Sequence, residues 1–370
     1  MFFSIQKTNL PVIVIAGQFP PPVNGFAFIT QEMAKVLAGK YETTIIDLAP
    51  HVPNNGLPYH LRRLGLTIKG LWPLLRESSN VGRRFYMASE SRLGLLYNII
   101  LGGAARLLGY PIYIHYHNFN FIDGHSILMW LLLRVLGKET THIFLCPVMA
   151  KRFTERYNRS VKSIILSNSA FVEEGGSNVR KWLPENPLII GLLSNLNDEK
   201  GLSLFLDTLR QAVGKGLNVC GVLAGPPVTE HDRKTILAAE QEFGDRLDYR
   251  GPLYGEDKAA FFRDIDIFVF PTCYANEAQP TVIFEAMANG VPVISYNRGS
   301  IKGQVGRCGA IAEQTDNFAS FAVEWLKARM VSPHELAQLK LDTLAAFIAD
   351  RLSANQVAEK LFDVLPQMYG

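Results

Sequence analysis

Cysteine is scarce in this 370-residue chain: Cys146, Cys220, Cys273 and Cys308 are its only four, they lie far apart, and none forms a CxxC pair. A disulfide framework is therefore not expected, and buried, reduced thiols are. Long apolar runs are missing as well. The longest, Ile127 to Leu133, is cut by Arg134, well short of the roughly 18 to 20 residues that a membrane span requires. Near the start of the chain, Val12 to Ala16 is too brief for a signal-peptide core, and Gln18 with the prolines from Pro20 is not a small-residue cleavage site. A cytoplasmic chain without a transmembrane helix is the expectation. Net charge is small too: charged residues make up 19% and sum to +3, which gives no basis for nucleic-acid binding. Hydrophobic residues at 48% exclude intrinsic disorder, because a chain this apolar can offset the entropy of ordering. The length points to two domains of ordinary size.

Apolar strands alternate with helix-length segments from the N-terminal end. Pro11 to Ala16, Thr43 to Leu48, Arg83 to Ala88, Pro111 to His115, Thr141 to Cys146 and Ser163 to Leu166 read as strands, with Ser91 to Leu107 and Ser126 to Leu136 among the helices between them. A polar, glycine-bearing stretch from about Glu173 to Asn186 reads as a linker. The scheme then repeats, with strands at Pro187 to Leu193, Asn218 to Ala224, Leu247 to Arg250, Asp266 to Phe270 and Pro292 to Ser295. Helices Pro333 to Leu352 and Ala354 to Met368 close the chain. This order predicts an α/β class of two Rossmann-like, doubly wound parallel-sheet domains, 1–178 and 186–353, with 354–370 packing back on the first. In such folds ligands bind outside the carboxyl ends of the strands, here in a cleft that the two domains are expected to face.

The most informative stretch runs from Pro271 to Val293. It follows an apolar strand and enters a short helix, and it places Glu277 and Glu285 eight positions apart. If Thr281 opens the helix, the backbone amides of Thr281 and Val282 suit a phosphate group. The two carboxylates are acceptors for hydroxyls, which is the recognition chemistry that sugars and riboses need. On the other side of the expected cleft, His115 and His117 are two apart at a strand end and so share a face. No Cys, Asp or Glu at ligand spacing accompanies them, so zinc is not expected.

The Glu277 to Pro292 block resembles the Glu-x7-Glu signature of retaining glycosyltransferases of family 4, which have the GT-B fold and hold a nucleotide-sugar donor chiefly on the second domain. The loop Pro20-Pro-Pro-Val-Asn-Gly25 is similar to the family's proline-rich, glycine-bearing loop. Leu193-Ser-Asn-Leu-Asn-Asp-Glu-Lys200-Gly201 is similar to its Gly-Arg-Leu-x3-Lys-Gly loop. Gly225 and Gly251 fall where the family has nucleotide-lining turns.

The resemblance implies that Glu277 holds hydroxyls of the transferred sugar, Glu285 holds the ribose, Lys200 neutralises the diphosphate, and His117 contacts the sugar. It also implies departures. Asn195 stands where the family has a phosphate-binding arginine, Pro280 stands where it has a glycine with an amide to donate, and Gly303 and Gln304 stand where it often has an acidic residue. Asp264-Ile-Asp266 reads like the metal-nucleotide motif of the other major glycosyltransferase fold, but it falls at a helix end where the family has an aspartate for structural reasons. The implied activity is a metal-independent, retaining sugar transfer in glycan, polysaccharide or glycolipid synthesis, with no cofactor, the nucleotide sugar being a substrate. A nucleotide-sugar epimerase, or a non-catalytic sugar-nucleotide or membrane-surface binding protein, remains an alternative on the same architecture.

Residues 51–110 hold eight basic side chains against only Glu77 and Glu90. From Arg62 to Arg92 they are interleaved with Leu61, Leu64, Leu66, Ile68, Leu71, Trp72, Leu74 and Leu75. That pattern suits either an anionic membrane surface or a lipid-linked acceptor, and equally a solvated helix face with its apolar side in the core.

Overall fold

The computed structural model describes residues 11–21, 24–50, 56–176 and 179–361. Packing divides the chain at 166/167 and at 355/356, so that one unit ends at Leu166 and resumes at Gln356 while the other is Ser167–Asn355. Composition had put the first boundary near 178. Ser167 and Asn168 belong to the second unit because they are bonded to it. Ser167 Oγ donates to Asp350 Oδ2 at 2.8 Å, and Asn168 Nδ2 donates to the Gln279 carbonyl at 2.8 Å. The linker residues Ser177 and Asn178 lie outside the described residues, as do Pro22 and Val23 of the proline-rich loop.

Six strands form the sheet of the first unit: β1 (Val12–Gly17), β2 (Glu42–Asp47), β3 (Arg84–Ser89), β4 (Ile112–Tyr116), β5 (Thr141–Phe144) and β6 (Lys162–Ile165). Their order is β2-β1-β3-β4-β5-β6, and every pairing is parallel. The second unit has β7 (Leu188–Leu193), β8 (Val219–Ala224), β9 (Leu247–Tyr249), β10 (Ile267–Phe270), β11 (Val293–Tyr296) and β12 (Gly309–Ala312). These are again all parallel, in the order β12-β11-β10-β7-β8-β9. Both sheets are doubly wound, as expected. Central strands such as β1 and β10 are buried along their whole length, which is why they read as unbroken apolar runs rather than as alternation.

Winding reverses between β1 and β3 in the first sheet and between β7 and β10 in the second. At such a reversal the loops after two neighbouring strands diverge to opposite faces and leave a crevice at their carboxyl ends. The loop after β7 carries Asn195 and Lys200, and the loop after β10 carries Glu277.

Three differences from the sequence reading have local causes. The closing segment is a single helix, Pro333–Lys360, because Ser353 is no breaker; residues beyond Leu361, including the expected continuation to Met368, lie outside the described ones. Helix Phe318–Val331 and strand β12 were not marked by pattern, the strand because Gly-Ala-Ile-Ala has too little side chain to show a period. No disulfide joins the four cysteines; only Cys308 is buried, and Cys273 is exposed on the loop after β10.

Helix Leu57–Arg76 is turned against its composition. Its inward stripe is Arg63, Thr67, Gly70 and Leu74. Arg63 is 4% exposed and donates to Glu90 Oε1 at 2.6 Å, with its guanidinium 4.6 Å from the centre of the Tyr97 ring. Gly70 lies so close to Ile46 that a Cβ there would stand 2.6 Å from its side chain. Apart from the buried Leu74 and the half-buried Leu66 and Leu71, the large apolar residues of this helix point outward.

Candidate active site

The crevice of the second unit is built from two loops stitched together. Asn197 caps the turn Asp198–Lys200 through its side chain, which accepts from the Lys200 amide at 2.9 Å. Gly201 then takes φ +92°, and a Cβ there would lie 2.4 Å from Pro271 Cγ and 2.7 Å from the Pro271 carbonyl oxygen, so only glycine lets the two loops meet. The Cys273 amide closes the seam by donating to the Glu199 carbonyl at 2.8 Å.

This seam brings Lys200 to Glu277. The Lys200 ammonium donates to Glu277 Oε2 at 2.6 Å, and the Thr272 hydroxyl donates to the same oxygen at 3.0 Å. The ammonium also lies 4.4 Å from the centre of the Tyr274 ring. Glu277 is buried and Lys200 half-buried, so the ion pair sits at the mouth of the crevice with water largely excluded from one side. The loop carrying Glu277 is held from behind by the turn after β11. Arg298 donates to the Tyr274 and Ala275 carbonyls at 3.1 and 2.8 Å, Ser300 Oγ donates to the Ala278 carbonyl at 2.7 Å, and Gln304 Nε2 donates to the Pro280 carbonyl at 2.9 Å.

Helix Thr281–Ala288 follows, with Pro280 at its N-cap and no side chain capping it. The first-turn amides of Thr281 and Val282 are thus without a side-chain acceptor, which is the arrangement that favours an anion. Glu285 stands one turn in, its two oxygens 2.7 and 2.6 Å from the Lys258 ammonium. Each glutamate of the pair therefore has its own lysine.

On the β8 and β9 side, the Gly225 amide donates to the Gly251 carbonyl at 2.7 Å, and the Tyr249 hydroxyl donates to the Gly225 carbonyl at 3.0 Å. Gly225 has φ +120°, and a Cβ on it would fall 1.7 Å from the Ser194 carbonyl oxygen. The two turns predicted to line the nucleotide are thus locked to each other and to the residue before Asn195, whose own side chain is exposed.

Gly25 and His117 belong to the first unit. Asn24 caps helix Gly25–Ala38 by accepting from the Ala27 amide at 2.9 Å, and the ring of Phe26 meets His117 edge-on at 5.3 Å. His115 and His117 do share a face, with ring centres 4.0 Å apart. His115 is core: it is fully buried, and its Nδ1 is 2.8 Å from the Tyr86 hydroxyl. Burial pulls the His117 imidazole down to about 3 and places His115 well below its ordinary range, helped there by His117, so both rings are neutral near pH 7. His117 Nε2 is buried without a hydrogen-bond partner, which leaves one polar atom for a ligand hydroxyl.

Asp264 and Asp266 serve the scaffold. Asp266 is wholly buried, takes Lys340 Nζ at 2.6 Å and Arg180 Nε at 3.1 Å, and accepts the Ile189 amide at 3.0 Å. Asp264 pairs with Arg250 at 2.6 Å. Among the described residues no group of three or more His, Cys, Asp or Glu is placed to hold a metal.

Sequence reasoning missed Lys258, Thr272, Arg298 and the Arg63–Glu90 pair. Arg298 was within reach, since it directly follows a strand end. Lys258 carries no local signal, because what it pairs with lies 27 residues away.

Residues 187–328, which contain both ion pairs and both glycine turns, match the family model described as glycosyl transferases group 1. The second unit is a group 1 glycosyltransferase domain. A Salmonella typhimurium protein named "Putative colanic acid biosynthesis glycosyltransferase WcaL" is 25% identical over 171 residues, 45% of this chain and 40% of that one, so the match spans well under half of the curated relative. Among solved structures, HepE of Anabaena in complex with UDP is similar with a TM-score of 0.72 at 15% identity, over 96% of this chain and 100% of that one. Sucrose-phosphate synthase from Thermosynechococcus elongatus is similar with a TM-score of 0.68 at 15% identity, again over 96% and 100%. These likenesses extend over both units and establish the GT-B fold for the chain around its glycosyltransferase domain.

Proposed function

We propose that the protein is a retaining, metal-independent glycosyltransferase that moves a sugar from a nucleotide donor to a glycan or lipid-linked acceptor in polysaccharide or glycolipid synthesis. The observation that carries this reading is the Lys200–Glu277 ion pair, 2.6 Å long, at the winding reversal of a group 1 glycosyltransferase domain. A sugar diphosphate offers each member a better partner: its phosphates for the ammonium and its sugar hydroxyls for the carboxylate. The uncapped amides of Thr281 and Val282 would share the diphosphate charge, and Glu285 the ribose hydroxyls. Gly225 and Gly251 shape the nucleotide side, and Asn195 leaves that side one cation short of the family pattern. His117 and Gly25 would serve the sugar and its acceptor from the first unit.

In the transfer, the bond between the anomeric carbon and the diphosphate oxygen breaks and the acceptor oxygen bonds to the same face of that carbon. The acceptor proton passes to the departing diphosphate. Charge grows on the leaving group in the transition state, and a fixed ammonium with helix-end amides stabilises it there.

HepE has been solved with UDP-glucose, which makes uridine donors the first to test. Incubation with a panel of nucleotide sugars, read by mass spectrometry, should release a nucleoside diphosphate, and EDTA should leave that rate unchanged. Chelation that stops turnover, with magnesium or manganese restoring it, would overturn the metal-independent reading. Calorimetry separates the two glutamates. Glu285→Gln should weaken UDP by about 10- to 150-fold, the worth of one charge-assisted hydrogen bond. Glu277→Gln should leave UDP affinity nearly unchanged and lower turnover. Equal loss of UDP affinity in both variants would show the roles to be misassigned.

A further inference from the structure

We infer that the helix layer on one face of the first unit is a docking surface for an anionic lipid bilayer. The inference stands apart from the transferase reading and rests on the inverted helix Leu57–Arg76. Its outward stripe is Leu57, Leu61, Leu64, Ile68, Trp72 and Leu75, spaced by three and four residues, with Ile68 57% and Trp72 67% exposed. An amphipathic helix that packs by its apolar side buries such a stripe. Here the fold buries an arginine, a threonine and a glycine, with Leu74 the one large apolar residue among them, and provides Glu90 to neutralise the arginine.

The surface continues sideways. Helix Leu95–Leu107 packs beside Leu57–Arg76, and helix Ile127–Leu136 packs beside Leu95–Leu107. They add exposed Leu96, Trp130 and Leu131. Exposed apolar side chains gathered on neighbouring helices of one layer mark an interaction site.

Charge selects the occupant. None of the three helices contains a single Asp or Glu. Arg62, Lys69 and Arg76 recur every seventh position along the first helix, all exposed, the last in an ion pair with Glu77 just past the helix end. Arg134 lies over Trp130, 3.9 Å from the ring centre. At the end of helix Ile127–Leu136 a groove of about 800 Å³ is lined by Arg106, Trp130, Arg134, Lys138 and Arg159, with Glu139 as its one acid. What distinguishes the occupant is the combination of an apolar stripe with flanking cations and no acid on the three helices, which asks for a partner apolar within and anionic at its rim. An acyl layer rimmed by phosphates matches it term for term: the apolar row enters the headgroup boundary, and the cations meet the anionic surface.

The test is co-sedimentation of the full chain with vesicles of phosphatidylcholine alone and of phosphatidylcholine mixed with phosphatidylglycerol. Binding to the mixed vesicles, weak binding to the neutral ones, and loss of binding at high salt are expected. Changing Arg62, Lys69 and Arg76 together to Gln should lower partitioning about a hundredfold, about fivefold for each cation. Ile68→Ser with Trp72→Ser should remove binding altogether while the thermal midpoint stays at or above that of the unaltered chain, since both side chains are exposed. Equal binding to neutral and anionic vesicles, no binding to either, or insensitivity to these changes would overturn the inference. So would a concentration-dependent dimer that Ile68→Ser with Trp72→Ser dissociates, because a second copy would then be the occupant.

Discussion

Acidification should destabilise this protein in part through His142, as through the buried His115 and His117, and the size of the His142 effect can be worked from its surroundings. The ring lies on β5, buried, beside the stacked pair Tyr116 and Phe144 and nearly parallel to both, with Nδ1 2.8 Å from the Tyr116 hydroxyl. Burial, and then the neighbouring charge of Arg159, lowers it from 6.5 to about 3. A histidine whose folded value is depressed stays neutral in the native state while the unfolded chain takes up a proton. Its stabilising contribution is therefore complete above the unfolded value and is lost as the pH falls from 6.5 toward 3. At about pH 5 the loss is about 2 kcal/mol, from 1.36 kcal/mol per pH unit. His142→Gln keeps a hydrogen-bonding side chain and removes the titration. At neutral pH the variant should be less stable than the parent, because glutamine fits the aromatic stack poorly. On going to about pH 5 the gap between the two should shrink by about 2 kcal/mol in urea unfolding. A gap that stays constant between the two pH values would refute the claim that this ring is held neutral.

Two further substitutions test the scaffold of the glycosyltransferase domain. Asp266→Asn leaves Lys340 buried without its carboxylate and should cost about 3 to 5 kcal/mol in thermal or urea unfolding, whereas Asp264→Asn, on an exposed pair, should cost less than about 1 kcal/mol; similar small losses for both would contradict the structural role of Asp266. Gly225→Ala places a methyl 1.7 Å from the Ser194 carbonyl oxygen at φ +120°, so the turns after β7 and β8 must separate; unchanged stability together with unchanged UDP affinity would contradict the close approach.

Much of this molecule was legible along the chain because the relevant signals are short-ranged. Alternation of apolar runs with helical segments reports strands buried on both faces joined by crossovers, and that alone implies parallel sheets. The spacing of Glu277 and Glu285 is likewise local, since a strand end, a loop and one helical turn follow one another directly between Phe270 and Glu285. Asp266 was readable as scaffold because it stands at the entry to a buried strand.

What tertiary structure alone decided is everything that depends on residues distant in sequence. Strand order within each sheet, and hence the reversal that brings the loops after β7 and β10 together, is set by packing of the whole domain. The partners of the two glutamates follow from it, Lys200 at a separation of 77 residues and Lys258 at 27. Helix Leu57–Arg76 is the sharpest case. Its composition predicts a helix with one apolar side and one basic side, and periodicity cannot say which side the sheet accepts. The sheet accepts Arg63 because Glu90, just past the end of β3 and 27 residues on in the chain, neutralises it, and most of the apolar side is left facing out.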